Sequence, residues 1–154
     1  MGRALGIDFG DRRIGMALSD PDQLIAFPHS VIEYSGRIGA AVDSVEKFII
    51  EQVITCCVVG LPLNMDGSMS RQADRTRTFI GLLRKALPGT TTLETWDERL
   101  TSVQAGRAMQ EAGLNTRQQR GRLDKVAAAL ILQSYLDAAP SSEHSPWCGR
   151  EERP

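Results

Sequence analysis

Arg3-Ala-Leu-Gly-Ile-Asp-Phe-Gly-Asp-Arg-Arg-Ile-Gly-Met-Ala-Leu-Ser19 consists of two apolar runs around a polar tetrapeptide, and its reading decides the fold. Residues 3–9 read as a strand and 14–19 as its returning partner, with Gly10-Asp-Arg-Arg13 as the hairpin connection. In the first strand, alternation sets Asp8 on one face with Ala4 and Gly6, while Leu5, Ile7 and Phe9 take the other. A carboxylate in a core strand is costly unless a cation or hydrogen-bond donors compensate it. The small neighbours leave room above it. The bland alternative is an Asp that accepts turn hydrogen bonds from Gly10 and Asp11.

Working outward, residues 30–34 follow Pro21 and Pro28 as a third short strand, which extends an antiparallel meander. The period then changes. Ile38, Val42, Val45, Phe48 and Ile49 recur at helical spacing, and Val53-Ile-Thr-Cys-Cys-Val-Val-Gly-Leu61 is a continuous apolar run suited to a strand covered on both faces. After a loop at 62–70, the pattern predicts a helix over 71–86 closed by Pro88-Gly89, a strand over 91–96 and a helix over 100–112 capped by Gly113. A last helix is predicted from 122 to 138. Helical crossovers between the later strands favour parallel pairing, so the expected architecture is α/β, a mixed five-stranded sheet with three antiparallel and then two parallel strands, flanked by helices. One domain is expected over 1–139, and 140–154, rich in Ser, Pro, Glu and Arg, reads as a disordered tail.

Composition removes several classes of function. No apolar run approaches the ~18 residues of a membrane span, and Asp8 interrupts any signal-like opening, so the expectation is a cytoplasmic protein with no membrane partner. Cys56, Cys57 and Cys148 have no metal-ligand spacing and read as reduced, buried thiols. With only His29 and His144, a zinc site or a histidine triad lacks material. Catalysis has to come from carboxylates. The net charge of −1 hides a local excess between Gly113 and Lys125, where Arg117, Arg120, Arg122 and Lys125 face one acid, Asp124.

Asp124 falls in helical register with Ala127, Ala128 and Ile131, on the face that packs toward the sheet, although a first-turn acid favoured by the helix dipole is the alternative. Asp97 and Glu98 lie where a β-type run ends, at the strand end where α/β sheets form ligand crevices. Glu98 is preferred as a ligand for its reach, with Asp97 as fallback. Three such carboxylates brought together would repel unless a cation screened them, and hard oxygen donors select Mg²⁺ or Mn²⁺.

Together, Gly6-Ile-Asp-Phe-Gly-Asp-Arg-Arg-Ile-Gly-Met-Ala-Leu-Ser-Asp20, Val59-Gly-Leu-Pro-Leu-Asn-Met-Asp-Gly67, Asp97-Glu-Arg-Leu-Thr-Ser102 and Asp124-Lys-Val-Ala-Ala-Ala-Leu-Ile-Leu-Gln-Ser-Tyr135 resemble the YqgF family of pre-16S ribosomal RNA nucleases, or RuvX-type resolvases, in the RNase H-like superfamily. The resemblance covers about residues 3–138 in the family's order. It implies an RNase H-like fold, trimming of the 5′ end of precursor 16S rRNA in ribosome biogenesis, and Asp8, Glu98 and Asp124 as catalytic, metal-holding acids. One departure is Ser68-Met-Ser-Arg71, where the family pattern has a Gly-containing stretch.

Phosphate contacts are expected from Arg12, Arg13, Arg71, Arg99, Arg117, Arg120, Arg122 and Lys125, and from backbone N–H groups where the helix opens at Arg71. Without interleaved aromatics, recognition of a structured RNA is expected to go by backbone and shape. DNA four-way junction cleavage is the alternative substrate, and it calls for a two-fold dimer, against the expected monomer or weak homodimer. Two further readings compete: an actin-like ATPase or sugar kinase, which Gly6-Ile-Asp-Phe-Gly10 also resembles, and a non-catalytic nucleic-acid-binding scaffold. The first needs a second domain to close on nucleotide; the second has no use for acids beside a polyanion.

Overall fold

The computed structural model describes residues 2–100 and 117–138, with only the backbone described for 117–119. Strands β1 (Arg3–Phe9), β2 (Arg13–Ser19) and β3 (Ala26–Glu33) form the meander. Helix α1 (Ile38–Glu51), strand β4 (Ile54–Leu61), helix α2 (Arg71–Ala86) and strand β5 (Thr92–Asp97) follow, then a 3₁₀ turn at Glu98–Leu100 and helix α3 (Arg117–Ala138). The sheet order is β3-β2-β1-β4-β5, with β1 antiparallel to β2 and parallel to β4. That is the mixed five-stranded sheet the pattern predicts.

Two layers cover the sheet. Leu5, Ile7 and Phe9 of β1 pack with Val42, Val45 and Ile49 of α1 and Phe79, Ile80 and Leu83 of α2. Ala4 and Val58 pack with Ala127, Ala128, Ile131, Leu132 and Tyr135 of α3 on the other face. Phe9 stacks on Phe79 with ring centroids 4.2 Å apart and 12° between planes, and it also stacks on Tyr34. No helix among the described residues is long and apolar enough to cross a membrane.

Several boundaries differ from expectation for identifiable reasons. β3 begins at Ala26 rather than near Ser30, because an exposed edge strand carrying Pro28 shows little hydrophobic alternation. Val53 is not in β4: it sits at φ +54° and closes α1, the place usually taken by Gly or Asn. α3 starts at Arg117, five residues early, so Arg120 and Arg122 lie on the helix and Asp124 is not a first-turn acid. Cys57 is a buried free thiol, and burial pushes its pKa up. Cys56, read as a thiol, is instead disulfide-bonded. The expected 100–112 helix and 140–154 tail also lie outside them.

Candidate active site

Small residues on β1 bring α3 close. A Cβ on Gly6 would lie 2.6 Å from Leu132 Cβ and 2.7 Å from the Ala128 carbonyl oxygen, so only glycine admits the helix at this distance. Asp8 is two residues further along the same face and only 4% exposed. Its antiparallel partner on β2 is Gly15. On the other side, Ile7 pairs with Val59, and continuing that register by one residue sets Gly60 beside Asp8. The central acid is therefore flanked by a glycine on each neighbouring strand.

The two other predicted acids occupy the spaces those glycines leave. A Cβ on Gly15 would lie 2.1 Å from the Asp124 carbonyl oxygen and 3.1 Å from Asp124 Cβ. A Cβ on Gly60 would lie 2.7 Å from Glu98 Oε2 and 2.6 Å from Ile131 Cδ1. Adjacent strands are about 4.8 Å apart, so Asp8, Asp124 and Glu98 reach over three consecutive strands on the α3 face of the sheet. Glu98 is 1% exposed, deeper than any other charged residue among those described.

Parity along β5 explains why Glu98 and Asp97 part company. Trp96 pairs with Gly60 and meets Tyr135 edge-on at 5.9 Å, on the α3 side. Glu98, two residues on, turns back toward Gly60, while Asp97 is gripped by Arg99. Arg99 donates from its backbone N–H (2.9 Å), Nε (3.1 and 3.0 Å) and Nη2 (2.6 Å). This guanidinium holds the Asp97 carboxyl below the usual carboxylate range. Arg99 also reaches the Met65 carbonyl at 3.5 Å and lies against Gly67, tying β5 to the 62–70 loop.

Asp124 is likewise engaged: Arg13 Nε donates to its Oδ2 at 2.6 Å. Among the described residues no three His, Cys, Asp or Glu side chains already form a metal-holding group. The donor chemistry nonetheless suits a hard divalent cation, since the acids over Gly15, Asp8 and Gly60 offer carboxylate oxygen with no sulfur or imidazole.

The basic residues do not share one crevice. Arg13 faces Asp124, whereas Arg12 lies against Gly36 in the β3–α1 connection. Arg71 is exposed at the start of α2, where the Ser70 hydroxyl accepts from Ala73 N–H and donates to the Pro62 carbonyl. The serine-containing departure thus caps the helix and fastens the loop. Arg120 and Lys125 are half-buried and Arg122 is exposed on α3; the Arg117 side chain is outside the description.

Sequence reading missed four residues that build this place. Gly15 and Gly60 make the room, and a glycine inside a strand is the signal that marks a close approach. Gln72 donates to the Phe9 carbonyl at 2.8 Å and fixes the end of β1 beyond Asp8. Arg75 donates to Tyr34 Oη (3.1 Å) and the Gly36 carbonyl (3.2 Å), pairs with Asp11 at 3.4 Å and lies over the Phe9 ring. No sequence spacing announces those last two.

The sheet order and its two helical layers define an RNase H-like fold, also seen in RuvC of Thermus thermophilus solved with a Holliday junction substrate: TM-score 0.58 at 15% identity, covering 89% of this chain and 96% of that one. The family described as "RuvX: Holliday junction resolvase" matches residues 2–138. A protein of Halothermothrix orenii named "Putative pre-16S rRNA nuclease" is 41% identical over 138 residues, 88% of this chain and 94% of its own length. One of the same name from Pelotomaculum thermopropionicum is 42% identical over 136 residues, 88% and 87% of the two chains. This chain belongs to the RuvX family.

Proposed function

We propose that this protein is a divalent-cation-dependent endonuclease that hydrolyses phosphodiester bonds in the cytoplasm during 5′-end maturation of pre-16S rRNA. The observation that carries the chemistry is the row of acids over adjacent strands, with Asp8 between the glycines that admit Asp124 and Glu98. The names of the relatives supply the substrate. Asp8, Glu98 and Asp124 are the residues that would hold Mg²⁺ or Mn²⁺, which when bound supplies charge neutralisation at the scissile phosphate and an activated water. The chain itself positions the strand. Arg71 at the α2 terminus, Arg99 at the end of β5, and Arg120 and Lys125 on α3 offer phosphate contacts, and backbone contacts of this kind set register without reading sequence.

Asp8→Asn keeps the side-chain shape and removes the charge. With Mg²⁺, the wild type is expected to cut a precursor 16S 5′ fragment, while the variant falls to the level of the wild type in EDTA and keeps its Tm. Equal cleavage by the two proteins defeats the proposal. A second reading, cleavage of DNA four-way junctions, is favoured by the family description. It needs a two-fold dimer, so sedimentation as a monomer together with an uncut synthetic junction removes it.

A further inference from the structure

Arg13 lies two residues before Gly15 on β2, so it shares the face of Asp8 and α3. Its Nε is 2.6 Å from Asp124 Oδ2, and the two side chains are only 27% and 14% exposed. The Asp124 backbone is packed directly on β2, its carbonyl oxygen in the space a Gly15 Cβ would fill. Asp8 and Glu98, 4% and 1% exposed, follow it over the next two strands, and a row of buried acids favours a positive neighbour.

From this geometry we infer that Arg13 is a built-in counter-cation for the acidic row, a role that rests on the metal reading above. Arg13 holds Asp124 while no divalent ion is bound and releases it when one binds. A weakly hydrated guanidinium suits such a half-buried pair, and a doubly charged ion drawn to the same carboxylate would repel it. The pair thus keeps the acids tolerable in the metal-free protein and competes with metal for Asp124. Once released, Arg13 stands at the site with its charge available to a substrate phosphate.

The test is calorimetric titration of Mn²⁺ into the metal-free full chain. Arg13→Gln is expected to bind Mn²⁺ roughly tenfold more tightly than the wild type, the equivalent of one modest charge-assisted hydrogen bond. Arg13→Lys should fall between them. Unchanged or weaker binding by a folded Arg13→Gln, with wild-type binding still abolished by Asp8→Asn, overturns the competition and leaves the metal reading standing. Wild-type binding that Asp8→Asn does not reduce sinks both. Should Arg13→Gln fail to fold, ¹⁵N NMR of the wild type decides. The Arg13 Nε–H resonance should leave its hydrogen-bonded position on Mg²⁺ addition, and no movement while the Asp8 amide shifts refutes the inference.

Discussion

The two faces of the sheet are built to different rules. Toward α1 and α2 the residues are large, with Leu5, Ile7, Phe9, Ile14, Met16 and Phe79 among the most buried, and the layers are held apart by interlocked side chains. Toward α3, β1 and β2 carry mainly alanine and glycine, and a helix backbone comes almost to the strands. One face gains stability from buried area; the other gives up side-chain volume so that carboxylates from distant segments can meet. On the function proposed above, stability and chemistry would be carried by separate layers of the sheet, and substitutions can test that separation.

The largest structural effect is expected on the large-residue face. Phe79→Ala removes a ring stacked on Phe9 and should cost about 3–5 kcal/mol of unfolding free energy in urea titrations. Its folded fraction should keep the wild-type dependence on Mn²⁺. Gly15→Ala is a far smaller change on the other face, yet its methyl group meets the Asp124 carbonyl oxygen at 2.1 Å. A loss of about 1–3 kcal/mol is expected, together with loss of cleavage in protein that is still folded by circular dichroism. The same substitution at Gly81, in α2 with nothing within 4 Å of the new methyl, should raise stability by about 0.5–1 kcal/mol and leave cleavage unchanged. Opposite signs for one chemical change would establish the contrast; equal effects would dissolve it. Smallest in reach is Ser70→Ala, expected to cost about 1 kcal/mol through the lost α2 cap and to loosen the 62–70 loop against trypsin.

Much of this was legible in the residues, because it rests on period and parity. The apolar run of β4 and the limits of α2 at Arg71 and Ala86 follow from side chains that face a core. The parity of β1 likewise sets Asp8 apart from Leu5, Ile7 and Phe9. Solvated segments left weaker marks. The edge strand β3 and the Arg-rich first turns of α3 have little apolar patterning, and both extend beyond what the pattern predicts. Which of Asp97 and Glu98 faces α3 turns on one residue of parity, and the Trp96–Tyr135 contact and Gly60 show that Glu98 does. Arg13 and Asp124 are 111 positions apart, and only the docking of α3 over Gly15 joins them.

That docking has a temporal side. Asp8 lies on β1 whereas Asp124 belongs to the final described helix, and contacts of such long sequence separation are slow to form. On the function proposed above, the three acids would stand over adjacent strands only once α3 seats itself over Gly6 and Gly15.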